Sequence, residues 1–363
     1  MTSEGVIRVV AHALESSRSK DPCTTAAAYT VLSSLLCCDA VGCAADGAGC
    51  HCGYGRLIRA ALREFPDALD VQRLACEALC SVVPPEALLN KDERNEETAV
   101  ALVVAAMARY PADAAVQASG CAVLKRCIND GDGVNAVAEL GGVLAALHTA
   151  ANHGADARVQ CCALGVLGCR STCALYGASD AEVLVPLTLR AMAAHPRAYG
   201  VQKEGCTLLA NLCFTFAPGC AVRGFADGCI AAALRALEMR GAAVKVARHA
   251  CIVLHNLLYR NAVEPDSAAL VLERVVAVMV LHCDDATALC IACRTIARLC
   301  EILDVWLDSC WLACAVVHAA RACHTDDAKV QRDTLAALRS LADFSRRQCE
   351  ETDFVRWAFQ VQA

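Results

Sequence analysis

One short phrase, Val-Gln before a pattern of small and apolar residues, recurs along the chain at nearly constant spacing. It begins at Val71, Val116, Val159, Val201 and Val330. Degenerate copies, which share only the apolar pattern, begin at Thr24, Val246 and Ala288. The eight anchors lie 42 to 47 residues apart, which is the period of helical repeats that stack on their neighbours. This period constrains the fold more than any other feature of the sequence.

Each anchor starts an amphipathic pattern. Positions +4, +7, +8 and +11 from the anchor are small or apolar, and in the fifth copy they are Gly205, Leu208, Leu209 and Leu212. At about 100° per residue, these positions and the anchor fall on one side of a helix. Second apolar segments precede the anchors, at 57–65, 102–110, 184–194 and 230–239. Between the two segments stand the turn residues Pro66, Pro111, Gly154, Pro196 and Gly241. We predict a unit of helix, turn and helix.

Two segments carry a family resemblance. Residues 201–212 resemble the third helix of an armadillo repeat, and residues 221–228 resemble the short first helix and glycine turn that open the next repeat. The related HEAT pattern also suits residues 327–332. The resemblance implies an all-α, right-handed α-solenoid (superhelix) of about eight armadillo-type repeats that forms one domain over residues 1–363. Such repeats serve many unrelated partners, so the resemblance implies a fold more than a function.

Several segments interrupt or end the repeat. We expect a Cys-rich insertion at 37–55 and a polar linker at 84–98 to loop off one edge of the solenoid. A short helix is expected at 135–140, before Gly141 and Gly142. Residues 343–363 depart from the repeat and are expected to cap its last apolar face.

Position +10 of the anchor helix is polar in most copies, although its neighbour at +11 is mostly apolar. Positions +3, +6 and +10 therefore form the predicted exposed ridge. The armadillo resemblance implies that an Asn at +10 bonds the backbone of an extended peptide, and Asn211 and Asn256 match that place. Position +6, often Trp in peptide-carrying importins, is Thr207 or Ile252 here, so an import receptor is not indicated. The predicted groove residues are Arg126, Asn211, Asn256, Arg294 and Arg298. A solvated face without a ligand remains the alternative for each.

The chain contains 27 cysteines, and five of them share position +5. Because a residue repeated at one helical offset is most simply a packing element, we predict that Cys76, Cys121, Cys206, Cys251 and Cys293 act as small buried hydrophobes. The better candidates for a zinc site are Cys37, Cys38, Cys43, Cys50, His51 and Cys52. Their spacing matches no common zinc module. A metal- or redox-responsive protein acting through residues 37–52 is therefore the alternative function.

Charge and motifs narrow the function further. The net charge is −6 without long blocks of like charge, so neither a nucleic acid nor a membrane is the expected partner. The sequence lacks the common nucleotide-binding, zinc-protease and serine-hydrolase motifs. Neither a signal peptide nor a membrane-spanning run is recognisable. We expect a non-enzymatic adaptor without a cofactor, in the cytoplasm or nucleus, that binds a peptide segment or another protein in a concave groove.

Overall fold

The computed structural model describes residues 48–90, 97–128, 131–215, 222–239, 244–303 and 308–348. These ranges contain seventeen helices and no strand, so the all-α prediction is confirmed. The chain divides into two compact units, residues 1–175 and 176–363. The single domain proposed from the sequence stays a prediction, and the anchor at Thr24 lies outside the described residues.

Unit 1 is built from two layers of helices. Its helices are α1 (Ala48–Glu64), α2 (Leu69–Val82), α3 (Pro85–Leu89), α4 (Ala99–Arg109), α5 (Ala114–Cys127), α6 (Gly131–Glu139), α7 (Gly142–Asn152), α8 (Ala157–Leu167) and α9 (Arg170–Cys173). The anchor helices α2, α5 and α8 pack in succession, and α1, α4 and α7 form the second layer. This is the stacking of a solenoid.

Unit 2 repeats the same two layers more regularly. It comprises α10 (Ala178–Ala194), α11 (Tyr199–Thr215), α12 (Val222–Leu237), α13 (Val244–Tyr259), α14 (Pro265–Leu281), α15 (Ala286–Leu299), α16 (Asp308–Cys323) and α17 (Ala328–Gln348). The anchor helices α11, α13, α15 and α17 pack side by side, and α10, α12, α14 and α16 form the other layer. The predicted solenoid is confirmed within this unit as well.

The predicted buried stripe is present. In α11, Leu208, Leu209 and Leu212 are fully buried. The cysteines at +5 are buried too, with at most 1% of Cys76, Cys121, Cys206, Cys251 and Cys293 exposed. Burial raises the pKa of each of these five thiols to about 12. They therefore stay protonated at neutral pH and act as packing residues, as predicted.

A repeated glutamine joins the two layers, although in the sequence it serves only to mark the anchor. In every copy that begins Val-Gln, the Gln Nε2 donates to the carbonyls ten and seven residues earlier. Gln202, for example, donates to Met192 at 2.8 Å and to His195 at 3.0 Å. The other copies are Gln72, Gln117, Gln160 and Gln331. These carbonyls lie at the C-terminal end of the preceding helix, where intrahelical donors run out. The carbonyl of His195 also accepts from the backbone N–H of Ala198 at 3.1 Å, whereas four residues after Met192 stands Pro196, which has no N–H. The Gln202 amide replaces that missing donor.

A second ladder of hydrogen bonds joins neighbouring turns. Position −6 from the anchor carries Tyr110, His153 and His324, and each side chain bonds a carbonyl of the turn one repeat earlier. The Tyr110 hydroxyl donates to the carbonyl of Pro66 at 2.9 Å. The Nε2 atoms of His153 and His324 lie 2.7 Å from the carbonyls of Pro111 and Cys283. These contacts fix the spacing of successive repeats.

Two of the predicted interruptions are shorter than expected. Helix α1 begins at Ala48, so the end of the segment 37–55 is helical, and residues 37–47 lie outside the described ranges. The linker 84–98 contains the short helix α3, which begins with proline at its first turn. Residues 91–96 are outside the described ranges. The short helix expected at 135–140 is confirmed as α6, and Gly141 follows it with a φ of 78°.

One boundary was predicted wrongly. Residues 221–228 do not end in a glycine turn, because α12 continues through Gly228. A Cβ at Gly228 would lie 2.9 Å from Leu189 Cδ1, so this glycine permits close packing of α10 and α12 without ending a helix. At the C-terminus, α17 continues without a break to Gln348, with Phe344 fully buried. Residues 349–363 lie outside the described ranges, so the cap expected over 343–363 stays a prediction.

Within the described ranges, no single helix is both long and apolar enough to cross a bilayer. In these ranges, α6 and α7 together have the length and apolar composition of a membrane span, but the chain bends by 68° between them.

Candidate binding groove

The exposed side of the anchor helices in unit 2 contains a cleft. The cleft has a volume of about 600 Å³. It is lined by Phe214 of α11, by Ile252, His255 and Asn256 of α13, by Ala286, Thr287, Cys290, Ile291 and Arg294 of α15, by Asp327, which precedes α17, and by Lys329 of α17. We call this the unit 2 cleft. It lies between neighbouring repeats, so its walls come from four successive anchor helices.

Two exposed aromatic rings lie at the same register, +13, at the ends of α11 and α13. Phe214 is 60% exposed and Tyr259 is 66% exposed. The Arg298 guanidinium lies over the Tyr259 ring at 5.7 Å from its centroid, a distance at which cation–π attraction acts. Arg260 Nη2 donates to the carbonyl of Phe214 at 2.6 Å. The backbone that carries the first ring is thus tied to the next anchor helix.

The predicted residue Asn256 lines the cleft, but its amide is also used within the chain. Asn256 Nδ2 donates to the carbonyl of Ala210 at 2.8 Å. In unit 1, Arg126 occupies the same register, and its Nη1 donates to the carbonyl of Leu79 at 3.0 Å. Position +10 therefore fastens an anchor helix to the end of the one before it. From the sequence, this position was predicted to contact a bound peptide alone.

The two predicted arginines of α15 take part in ion pairs. Arg294 Nε donates to Asp333 at 2.8 Å, and its side chain remains about half exposed. Burial opposes ionisation of Asp333, but hydrogen bonds from Arg332 and Arg294 hold its pKa below the usual range. Arg298 pairs with Glu301 and donates to Asn261 Oδ1 at 3.2 Å. Asp333 of α17 thus holds the Arg294 guanidinium beside the cleft. Glu301 and Asn261, which follow α15 and α13, hold that of Arg298.

The remaining ridge positions are less uniform than predicted. Asn211 is half-buried, and its carbonyl accepts a hydrogen bond from Thr215 Oγ1 at 2.9 Å. Position +10 is half-buried or exposed in every described copy, as expected. Position +3 is buried at Ser119, Glu204 and Asp333, so the expectation of exposure was wrong there. That position lies close enough to the stripe to face the adjacent anchor helix.

His255 is the titratable group of the cleft. Its Nδ1 atom is buried and has no hydrogen-bond partner among the described residues. Burial lowers the pKa of His255 from its ordinary value, and the charges of Arg294 and Arg298 lower it further. The imidazole is therefore neutral at pH 7, with one donor and one acceptor nitrogen.

Four residues in or beside the cleft were not predicted from the sequence: Phe214, Tyr259, His255 and Lys329. A signal for the two aromatic residues was present, because position +13 falls at about 220° on the helical wheel, away from the buried stripe. Aromatic residues at this register in two consecutive copies predict an exposed pair. Lys329 at −1 also had a signal, because Lys245 occupies the same register in the copy that begins at Val246. His255 at +9 has none, since no other copy has a histidine at that register.

The zinc candidates stay untested. Cys37, Cys38 and Cys43 lie outside the described ranges, and Cys50, His51 and Cys52 fall in the first turns of α1. Among the described residues, no group of three or more His, Cys, Asp and Glu side chains is arranged to hold a metal ion.

Comparison with known proteins identifies the fold alone. No protein-family model matches the chain, and no curated protein matches it. Three crystal structures of engineered proteins are similar to it. One covers 92% of this chain and 88% of its own length, with 16% identity and a TM-score of 0.56. The other two cover 68% of this chain and 98% and 99% of their own lengths, with 16% and 17% identity and TM-scores of 0.51 and 0.50. The chain therefore has a helical-repeat fold.

Proposed function

We propose that this protein is a non-enzymatic scaffold that binds a segment of another protein across the exposed side of α11, α13, α15 and α17. The observation that carries the proposal is the pair of exposed rings, Phe214 and Tyr259, at the same register beside the unit 2 cleft. Exposed aromatic residues next to a cleft are typical of sites where a few side chains supply most of the binding energy.

The polar groups of the cleft suit an extended peptide. Asn256 has an amide oxygen in addition to the Nδ2 that holds Ala210, and an amide oxygen can accept a peptide N–H. Thr287 adds an exposed hydroxyl. Apolar contacts from Phe214 and Ile252 would provide affinity, and these polar atoms would set the register of the bound backbone.

We further propose that the repeats combine two related types. The units α6, α7 and α8 form a three-helix repeat, which supports the armadillo resemblance. The helix pairs of unit 2, with α12 uninterrupted, support the HEAT pattern instead. Free thiols are typical of a reducing compartment, and the cysteines of the described ranges are unpaired, so we place the protein in the cytoplasm or nucleus.

The test compares two matched pairs of substitutions in the intact chain. Phe214→Ser with Tyr259→Ser removes the exposed rings of the anchor layer. Leu270→Ser with Val280→Ser removes exposed apolar side chains of α14, in the other layer. We expect quantitative affinity purification to show partners that are lost from the first variant, by about tenfold or more, and kept by the second. Equal recovery by both variants would contradict the proposal. Circular dichroism verifies that both remain folded.

A further inference from the structure

Charge is divided unequally between the two helix layers of unit 2. The anchor helices α11, α13, α15 and α17 contain ten Lys and Arg but three Asp and Glu. The helices α10, α12, α14 and α16 contain five Lys and Arg and six Asp and Glu. Two of the three acidic residues in the anchor layer, Glu204 and Asp333, are buried. The protein as a whole has a charge of −6, so this layer is a basic surface on an acidic protein.

We propose that the segment bound in the unit 2 cleft is acidic and carries an apolar side chain among its carboxylates. This inference rests on the proposed binding function and names the chemistry of the partner. Carboxylates would meet Arg294 and Lys329, which line the cleft. The lining also contains Asp327, but its Oδ1 accepts hydrogen bonds from the backbone N–H groups of Lys329 and Val330 at the start of α17. The apolar side chain would contact Phe214 and Ile252, which line the same cleft. Complementary charge raises the rate of encounter and excludes basic partners.

The positions of two lysines favour a role in binding. Lys245 and Lys329 are exposed and occupy the second residue of α13 and α17. The positive end of the helix dipole lies there, so a cation destabilises the helix and an anion would stabilise it. Neither lysine forms an ion pair with any residue that the structure describes. Helix stability therefore does not explain these two charges, whereas an acidic ligand does.

The same surface is less suited to nucleic acid. The cations of the cleft lining are Arg294 and Lys329, which are too few to follow a phosphate backbone. Nucleic-acid affinity depends on releasing counterions from many phosphates along a track of cations. The cleft instead has the apolar walls Phe214, Ile252 and Ile291 between its cations. An acidic peptide with an apolar side chain matches both features.

The test is a selection from a random twelve-residue peptide display library on the intact protein. We call groove peptides those that the parent protein enriches and the double variant Phe214→Ser, Tyr259→Ser does not. We expect groove peptides to contain more Asp and Glu than Lys and Arg, and to carry an aromatic or long aliphatic residue. Their dissociation constants, measured by fluorescence anisotropy, should rise about tenfold with Lys245→Glu and Lys329→Glu.

Two controls separate the possible failures. Arg190→Glu with Arg235→Glu reverses the same amount of exposed charge on α10 and α12 and should leave peptide binding unchanged. The lysine variant should melt at the same temperature as the parent protein or higher.

Neutral or basic groove peptides would overturn the acidic partner and leave the proposed function intact. If no enriched peptide depends on Phe214 and Tyr259, the proposed function itself fails. A single-stranded oligonucleotide is tested as a competitor of the acidic peptides. If it binds the protein more tightly than they do and displaces them, nucleic acid is the ligand and the inference is overturned.

Discussion

The two sides of the anchor helices in unit 2 follow different rules. On the buried side, the same residue types recur from copy to copy, as in Leu209 and Leu254 or Cys206 and Cys251. On the exposed side, the residues change with each helix, and Phe214, Tyr259 and Arg294 each belong to one or two copies. Stacking requires each helix to fit the next, so recurrence marks packing. The side without recurrence is where a particular partner can be recognised.

The largest expected effect lies on the buried side. Gln202→Met keeps the volume of the side chain but removes the donor to two carbonyls, at Met192 and His195. We expect the free energy of unfolding, measured by urea titration, to fall by about 2 kcal/mol because the buried carbonyl of Met192 loses its donor and the carbonyl of His195 keeps only the N–H of Ala198. Thr207→Val is the control on the exposed side, where the Thr207 hydroxyl bonds only its own helix at Lys203. If Gln202→Met lowers the free energy of unfolding by no more than Thr207→Val does, the two sides do not differ in the way described.

A smaller effect is expected where the two sides meet. Asn256 lines the cleft and also holds the carbonyl of Ala210. The sequence alone predicts that Asn256→Ala weakens partner binding without lowering the melting temperature. The structure leads us to expect a loss of about 1 kcal/mol in unfolding free energy as well. Measuring the melting temperature of Asn256→Ala together with its recovery of partners distinguishes these two expectations. An unchanged melting temperature would show that the bond to Ala210 contributes nothing.

The smallest effect concerns pH. The pKa of His255 in the folded protein is below its ordinary value of about 6.5. Between these two pKa values the unfolded chain binds more protons, so His255 makes the protein less stable as the pH falls below about 6.5. His255→Gln should remove this contribution and flatten the pH dependence of the melting temperature below 6.5. An equally steep dependence in the variant would contradict the placement of His255 in the cleft.

The fold was largely predictable because it is repeated. The Val-Gln phrase gave the register, and one register fixed the buried stripe and the +5 cysteines. Bonds between successive repeats were harder to foresee. Tyr110, His153 and His324 bond the preceding turn from one register but with different residue types. Asn256 was assigned to a ligand from the armadillo resemblance, whereas its bond to the carbonyl of Ala210 forms between residues of neighbouring repeats that are distant in sequence. Gly228 was interpreted as a turn, although Leu189 of a neighbouring helix explains it.

The most direct test is to map the contact of a bound partner by photo-crosslinking. A photoreactive phenylalanine analogue is placed singly at positions 214 and 259, and at 270 and 280 of α14 as controls. Phe214 and Tyr259 are more than half exposed, and Leu270 and Val280 are 43% and 54% exposed, so all four positions are accessible. We predict that a groove peptide crosslinks to positions 214 and 259 and not to 270 or 280. Crosslinking to α14 alone would contradict a binding site on the anchor layer.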